Sequence, residues 1–335
     1  MNQLEAALAV DLLQICEQAG AQFHRQSGGY RSHCPLHGGD GENNFSVYQD
    51  DGKQKWRCHS ADCGQGDVID FVMIWRKLDQ RGAIEYLTGG KSITPAEAAQ
   101  LAQDRANRAE EYKQKKEAEY LDALHALRMA KAWVTYYHNL LDNQQARRLW
   151  YARGVPDVFQ DIWQLGYADK FSYMTNAGRW ISPSLVIPIF AIGQAEPINI
   201  RHRILNPASP KDKYRPERSG LRSAPFIADP EQEHERVLVV EGEIKAMVSY
   251  IALDDSKLQV YGIPGKNNFE ALKDALIGHE VYILLDPDAG DQAARMAQMV
   301  KGRVINLQVK VDDAINAGHL TGRGLHRLMK NARKY

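Results

Sequence analysis

Hydrophobic residues recur along this chain in blocks, and their spacing changes from one segment to the next. In the C-terminal third, short apolar runs alternate with segments of helical period. The predicted strands there are VLVV at 237–240, LQVYGI at 258–263, EVYILLD at 280–286 and VINLQV at 304–309. The predicted helices are EIKAMVSYIAL at 243–253, NFEALKDALIG at 268–278 and GDQAARMAQMVKG at 290–302. This β-α-β-α-β-α-β order predicts a mostly parallel sheet with helices on its faces.

The N-terminal part has a different texture. Residues 1–30 have the pattern of a short helix and a turn, and residues 67–88 that of one or two short helices. Between them, residues 31–66 are rich in Gly, Asp, His and Cys and carry strand-like pieces at 45–48 and 55–57. This combination predicts a small β-rich domain with a few packed helices.

A long polar segment separates the two ends of the chain. Residues 91–132 are rich in Ala, Glu and Lys, which are strong helix formers, and predict an exposed helical linker. Globular patterning resumes after it, with a buried strand predicted for LVIPIFAI at 185–192. We therefore predict an α/β protein with domains over 1–90, 133–235 and 236–335, joined in part by the helix over 91–132.

Composition narrows the class of protein. The 335 residues are 44% hydrophobic and 25% charged, with 42 basic and 42 acidic side chains and no net charge. No apolar run reaches the roughly 18 residues of a membrane span. The first residues, MNQLEAALAVDLLQIC, carry two acids and no basic residue, unlike a signal peptide. We expect a cytoplasmic protein with no membrane partner.

The basic charge is concentrated in one segment. RHRILNPASPKDKYRPERSGLR at 201–222 holds seven Lys or Arg and two acids. A neutral average conceals such a patch, which is typical of contact with a polyanion.

Three of the four cysteines lie close together with histidines between them. Cys34-x-x-His37 and Cys58-x4-Cys63 form two short pairs with 20 residues between them, enough for a β-hairpin. Two such turns bring four soft ligands to one tetrahedral ion, which predicts a zinc ribbon. With only three clustered cysteines, one histidine must complete the set.

His37 has the spacing to be that ligand, and His33 and His59 are its competitors. His59 follows Cys58 directly and would have to fold back toward the ion. A closed four-ligand site leaves no position for substrate and is structural. Cys16 lies outside the cluster and is predicted to be a buried apolar residue.

Aromatic and basic side chains accompany the predicted zinc site. They are Tyr30, Phe45, Tyr48 and Trp56, with Arg31, Lys53, Lys55 and Arg57. Such residues on a small ribbon can stack on and hold single-stranded bases. The alternative is that the aromatics form the small core of the ribbon. Trp56 is the aromatic residue that we predict to contact nucleic acid.

Acidic residues follow two predicted strands of the C-terminal sheet. Glu241 ends one strand, and Asp286 and Asp288 end another. Ligands of open α/β sheets bind beyond the carboxyl ends of the strands, so these carboxylates are expected to share a pocket. Clustered carboxylates repel one another unless cations neutralise them, and their oxygens suit Mg²⁺ or Mn²⁺. The alternative is that they are ordinary caps and turns.

Together these motifs resemble the bacterial DnaG-type DNA primases and their phage and plasmid relatives. CPLH…FSVY…WRCHSADCGQGDVIDFV resembles the primase zinc-binding domain, and ARGVPDVFQDIWQLGYA at 152–168 resembles the start of the polymerase core. VVEGEIKA, GIPG and LLDPDAGDQAA resemble its TOPRIM module. With gaps, the resemblance runs over most of residues 31–318. It implies that residues 1–90 recognise the template and that residues 236–335 are catalytic.

The resemblance also implies roles for individual residues. Glu241, Asp286 and Asp288 would hold one or two catalytic Mg²⁺ or Mn²⁺ ions. The residues implied to bind nucleic acid or nucleotide in the basic segment are Arg201, Arg203, Lys213 and Tyr214. Asp312 and Asp313 resemble a further acidic motif.

This sequence departs from the family pattern at three points. Four residues separate Cys58 from Cys63, where the family usually has two. Lys245 stands where many members carry an acid after the Glu-Gly motif, so that one metal would be held by fewer carboxylates. The chain stops about where TOPRIM ends, which favours a stand-alone primase of a phage, plasmid or integrated element.

The resemblance therefore predicts synthesis of short RNA primers on single-stranded DNA by two-metal nucleotidyl transfer. The expected partners are the template, ribonucleoside triphosphates and a replicative helicase supplied in trans. Two alternatives stay open: another TOPRIM enzyme that cuts or nicks nucleic acid, and a non-catalytic nucleic-acid-binding replication protein.

Overall fold

The computed structural model describes residues 3–26, 29–38, 41, 43–50, 53–60, 63–89, 95–175, 177–265, 269 and 272–335. The chain divides into two compact units, Met1–Gln114 and Lys115–Tyr335. Each unit has its own hydrophobic cores.

In its described residues, the first unit combines an antiparallel sheet with four short helices. Its strands, paired in sequence order, are β1 (His24–Gln26), β2 (Gly29–Ser32), β3 (Phe45–Asp50), β4 (Lys53–Cys58) and β5 (Gln65–Gly66). Its helices are α1 (Gln3–Leu8), α2 (Leu12–Gln18), α3 (Val68–Arg76) and α4 (Gln80–Leu87). The predicted β-rich N-terminal region is thus present.

The two-residue alternation of β4 sorts its side chains between core and surface. Trp56 and Cys58 are buried, whereas Lys53 and Arg57 are exposed. The Trp56 ring stacks on Phe45 at 5.6 Å and meets the edge of Phe71 at 5.7 Å. This aromatic cluster packs the sheet against α3.

A single helix, α5, runs over Pro95–Ala130, within the segment predicted as a helical linker. Residues 90–94, where the predicted first domain meets the linker, lie outside the described residues. The three predicted domain boundaries, at 90/91, 132/133 and 235/236, stay a prediction.

The second unit opens with three helices and a four-stranded antiparallel sheet. The helices are α6 (Ala132–Leu141), α7 (Gln144–Tyr151) and α8 (Asp157–Ile162). The strands, again paired in sequence order, are β6 (Gly166–Thr175), β7 (Gly178–Ile189), β8 (Asn199–Ile204) and β9 (Tyr214–Pro216). The predicted strand at 185–192 corresponds to the end of β7, which reaches Ile189.

The other sheet of this unit has six strands. They are β10 (Phe226–Ile227), β11 (Arg236–Glu241), β12 (Leu258–Ile263), β13 (Glu280–Leu284), β14 (Arg303–Val304) and β15 (Arg333–Lys334). Their spatial order is β10-β12-β11-β13-β14-β15. The four inner strands are parallel and the two edge strands antiparallel. The predicted mostly parallel sheet and the α/β fold class are confirmed.

Five helices follow or separate these strands. They are α9 (Glu243–Leu253), α10 (Lys273–Leu276), α11 (Gly290–Val300), α12 (Val311–Asn316) and α13 (Gly322–Lys330). The helix predicted over 268–278 falls partly outside the described residues and is seen as α10. The strand predicted over 304–309 is shorter than expected, since β14 ends at Val304.

One hydrophobic core joins the two predicted domains of the second unit. Trp163 packs against the ring of Phe226 at 5.4 Å and that of Tyr250 at 6.1 Å, and its Nε1 donates to the Ala228 carbonyl at 2.8 Å. Residues before and after the predicted boundary at 235/236 therefore share one core. Over the part of the chain that the structure describes, no helix is both long and apolar enough to cross a membrane.

Candidate functional site

Cys34, His37, Cys58 and Cys63 converge in the first unit, with their ligand atoms all within 4.8 Å of one another. His37 Nδ1 lies 3.1 Å from Cys63 Sγ and 3.8 Å from Cys58 Sγ, and the Cys34 and Cys63 sulfurs are 4.0 Å apart. With Zn–S bonds of about 2.3 Å, tetrahedral geometry places ligand atoms roughly 3.5–3.8 Å apart. These residues fit a structural zinc ion.

Local backbone geometry builds the two turns. Gly38 N donates to Cys34 O at 3.0 Å and closes the first turn. Gly64, with φ of +93°, reverses the chain so that Cys58 N donates to Gly64 O at 3.0 Å. Burial raises the pKa of the Cys34 thiol to about 12, so its thiolate needs a cation beside it.

The structure separates the histidine competitors. His59 turns away and meets Ser46 Oγ through Nε2 at 2.9 Å, while His37 Nε2 meets Ser60 Oγ at 3.3 Å and so orients Nδ1 toward the ligand set. Neither His33 nor His59 belongs to the converging group. Cys16 is fully buried, as predicted for an apolar role.

The predicted contact of Trp56 with nucleic acid is wrong. Trp56 is 0% exposed, and its Nε1 donates to the Asp67 carbonyl at 2.9 Å. The ring faces the core because its position on β4 has the same parity as Cys58. Phe45 is buried in the same cluster.

The outward face of this sheet carries the polar and basic residues instead. Strand register places Arg31 opposite Ser46, and Ser46 opposite Arg57. Tyr48 pairs with Lys55 on the same face. Burial, followed by the charges of Arg31 and Arg57, lowers the pKa of His59. We call Arg31, Tyr48, Lys55 and Arg57 the ribbon face.

In the second unit, the acidic residues follow neighbouring parallel strands. Glu241 is the last residue of β11, and Val240 pairs with Leu284 of β13, so the register brings the two strand ends level. Asp286 follows β13 and precedes a short 3₁₀ turn, Pro287–Ala289, that contains Asp288. Gly242, with φ of +96°, makes the tight turn from β11 into α9.

Two lysines hold the carboxylate of Asp286. Lys245 Nζ lies 2.5 Å from Asp286 Oδ1, and Lys310 Nζ lies 3.8 Å from Asp286 Oδ2. Of the residues that the structure describes, the Cys/His set is the one group of three or more metal-ligand side chains that converges. Glu241, Asp286 and Asp288 do not form such a group among these residues, and their role as ligands of catalytic metal ions stays a prediction.

Basic side chains from both sheets of the second unit surround this edge. Burial lowers the pKa of Lys213, and so do the charges of Arg203, Lys310, Arg153 and Lys245. Arg203 and Lys213 both lie 6.0 Å from the centre of the Tyr214 ring. We call Arg153, Arg203, Lys213, Lys245 and Lys310 the basic cluster.

Arg201 does not join the basic cluster. Its Nη1 lies 2.7 Å from Oε1 of Glu243, whose side chain is 2% exposed. The charge of Arg201 is thus paired within the protein, and its predicted contact with nucleic acid stays a prediction. The ion pair instead ties β8 to the first turn of α9.

Arg153 is positioned by the contact between two helices. Gly154, with φ of +83°, lies so close to α12 that an added Cβ would be 2.2 Å from Asn316 Oδ1. Asn316 Nδ2 donates to Arg153 O at 3.4 Å. Burial and the charge of Arg203 lower the pKa of Arg153, whereas Asp312 raises it. Asp312 is thus an electrostatic partner of Arg153.

Sequence reasoning missed Arg153 and Lys310 as members of the basic cluster. Both lie in segments that resemble the family, ARGV and VKVDD, but each is 50 or more positions from every other member of the basic cluster. Only the packing of α7 and α12 onto the two sheets brings them together.

Comparison with known proteins agrees with the resemblance in the first unit. Residues 2–102 match the family model of the CHC2 zinc finger, a DnaG-type zinc ribbon. No curated protein matches the chain.

Solved structures give weaker likenesses. The zinc-binding and RNA polymerase domains of the Aquifex aeolicus primase match at 18% identity, over 99% of this chain and 86% of that one, with a TM-score of 0.46. The E. coli primase catalytic core matches at 15% identity over 61% and 79%, with a TM-score of 0.45. A chain from a bacteriophage T7 structure of lagging-strand DNA polymerase with primase domains matches at 18% over 55% and 91%, with a TM-score of 0.42.

The Cys/His geometry and the family match lead to the same assignment. Residues 2–102 carry a zinc finger of the CHC2 type.

Proposed function

We propose that this chain is a DNA primase, which makes short RNA primers on single-stranded DNA from ribonucleoside triphosphates. The observation that carries the proposal is the meeting of the basic cluster with Asp286 at the carboxyl edge of the parallel sheet. Ligands bind at this edge in open α/β sheets, and a cluster of lysine and arginine side chains there suits phosphates.

In the second unit, different residues bind the phosphates and the bases. Arg203 and Lys213 hold phosphates of the template or nucleotide. The partly buried ring of Tyr214, 6.0 Å from each of their charged groups, is the nearby aromatic surface for a base. The 3′-hydroxyl of one nucleotide attacks the α-phosphate of the next, pyrophosphate leaves, and the hydroxyl proton passes to solvent. The basic cluster stabilises the charge that develops on the phosphate.

Glu241 and Asp288 are the carboxylates that would hold a catalytic Mg²⁺ or Mn²⁺. Such an ion activates the attacking hydroxyl and polarises the phosphate. In the first unit, zinc held by Cys34, His37, Cys58 and Cys63 fixes the ribbon face. Its arginines and Tyr48 would contact the single-stranded template. We place the reaction in the cytoplasm, with a replicative helicase as a separate partner.

The test is to identify the strand that the protein makes or cuts. Unlabelled single-stranded DNA of mixed sequence with labelled ribonucleotides, and labelled DNA with unlabelled ribonucleotides, would be incubated in Mg²⁺ or Mn²⁺. New short RNA that disappears in an Asp286→Ala/Asp288→Ala variant supports a primase. Shortened DNA instead would show a nuclease.

One observation favours a second function. The ion pair between Lys245 and Asp286 uses a carboxylate that a TOPRIM enzyme needs, which suits a non-catalytic nucleic-acid-binding replication protein. Tight DNA binding with no product in either reaction would support that alternative.

A further inference from the structure

The basic cluster has an arrangement that a two-metal site does not need. Two of its ammonium groups lie against the two oxygens of one carboxylate, Asp286. The side chain of Lys245 is 14% exposed, as is that of Asp286, so this pair is largely shielded from water. Separating such a pair leaves an uncompensated charge away from water, so a metal ion that binds Asp286 would have to displace the ammonium of Lys245.

The helix that carries Lys245 holds this residue in place, whereas the side chain of Lys310 is 54% exposed. Lys245 lies in the first turns of α9, which begins at Glu243 directly after the turn at Gly242. Glu243 in the same turn is bound to Arg201 of β8 at 2.7 Å. Lys310 directly precedes α12. Lys245 therefore lies on a helix whose first turn is held by the tight turn at Gly242 and by the ion pair between Glu243 and Arg201.

We propose that Lys245 and Lys310 take the place of one divalent cation at Asp286. The inference rests on the proposed function, which is the reason to expect cations at this edge. The two lysines supply the positive charge that a second metal would bring to the phosphates, and Asp286 orients them. The site then holds at most one divalent ion, on the Glu241 and Asp288 side.

A direct count of bound metal tests this without relying on catalysis. The full zinc-loaded chain would be titrated with Mn²⁺, and free Mn²⁺ would be followed by electron paramagnetic resonance. We expect no more than one Mn²⁺ bound per chain by the wild type. Lys245→Asp, which returns an acid to the site and frees Asp286, should bind one more ion than the wild type.

Lys301→Asp is the matched control. Lys301 is exposed at the end of α11 with φ of +54°, a conformation that Asp tolerates, and its variant should bind as the wild type does. Two bound ions in the wild type would overturn the inference. So would a folded Lys245→Asp variant with no gain, and Lys245→Ala, which only frees Asp286, repeats the test if Lys245→Asp does not fold.

These outcomes are separable from those of the proposed function. A wild type that binds one ion or none but makes no primer would count against the primase and leave the lysine replacement standing. Primer synthesis by a wild type that binds two ions would do the reverse.

Discussion

At the scale of single residues, the zinc ligands could be predicted from the sequence. The ion-pair partners of Asp286 could not. The four zinc ligands come in two short pairs, so the spacing within each pair nearly fixes the geometry. The partners of Asp286 lie 41 and 24 positions away, on α9 and before α12. The pairing of Lys245 with Asp286 depends on tertiary packing, which residue spacing does not encode.

The choice of histidine ligand gives a prediction at this scale. His37→Ala should lose zinc, and the first unit should unfold more easily, because three ligands do not close a tetrahedral site. His59→Ala should keep its zinc, because His59 bonds Ser46 instead of the ion. Zinc per purified chain, measured by mass spectrometry, decides between them. Loss of zinc from His59→Ala alone would reverse the assignment.

The basic cluster predicts a dependence of binding on salt. Arg203→Gln and Lys213→Gln should each weaken binding to single-stranded DNA about equally across sequences and lower the slope of log K against log salt by about 1. Lys301→Gln, on an exposed turn, should leave both unchanged. Fluorescence anisotropy at several salt concentrations measures this. An unchanged slope in both Arg203→Gln and Lys213→Gln would remove these side chains from the phosphate contacts.

At the scale of elements, the predictions succeed where apolar periodicity is strong. β11, α9, β12 and β13 have the apolar blocks that the sequence shows, and they occur at the predicted places. Most of the antiparallel sheet β6–β9 was not predicted, because β6 mixes Asp169 and Lys170 into its alternation and β9 is only three residues long. These strands exist through pairing with β7 and β8, which local pattern does not reveal.

Alternate residues of β3 and β4 face the core and the ribbon face. Substitutions on the core side should therefore lower stability, and those on the ribbon face should weaken binding to DNA. Trp56→Ala removes a buried ring and should cost about 3–5 kcal/mol of unfolding free energy in the first unit. Tyr48→Ala, on the ribbon face, should instead weaken binding to single-stranded DNA by roughly 1–3 kcal/mol, with the fold retained. Denaturant unfolding and anisotropy on both variants measure this. A stable Trp56→Ala variant with weak DNA binding would return Trp56 to the binding surface.

Strand β8 carries a buried histidine, His202, between Arg201 and Arg203, and its protonation should make stability depend on pH. His202 is fully buried, with Nδ1 2.9 Å from Ser184 Oγ and Nε2 2.5 Å from Glu217. Burial lowers the pKa of His202, against the opposing effect of Glu217. The folded state therefore favours the neutral ring, whereas the unfolded chain takes up a proton below about pH 6.5.

The unfolding free energy should therefore be highest above pH 6.5 and fall as the pH drops below it, by up to about 1.4 kcal/mol per pH unit from this group. His202→Gln should be less stable than the wild type at pH 7.5. Its unfolding free energy should fall less than that of the wild type between pH 7.5 and 5.5. His319→Gln, at an exposed position, should follow the wild type. Urea unfolding followed by circular dichroism at both pH values measures the difference. An equal loss in His202→Gln and wild type would exclude His202 as its source.

At the scale of the whole molecule, one chain combines a CHC2 zinc finger with an α/β unit whose sheet edge gathers opposite charges. The resemblance names both parts, and in the proposed function the first part binds the template and the second joins nucleotides. The sequence shows Lys245 in place of an acid, but it does not show the ion pairs of Lys245 and Lys310 with Asp286. In our proposal, this site differs from a two-metal site in its charged groups, because Lys245 and Lys310 lie at Asp286.

The measurement that tests this account most directly is primer synthesis by the full chain on single-stranded DNA, compared between Asp288→Asn and Asp291→Asn. Each variant removes the charge of one exposed carboxylate that follows β13 in the chain. Only Asp288 lies in the proposed site. The account predicts short RNA products from the wild type and Asp291→Asn, and a loss of about 100-fold or more in Asp288→Asn, as when a group that stabilises the transition state is removed. Equal products from all three proteins would contradict it.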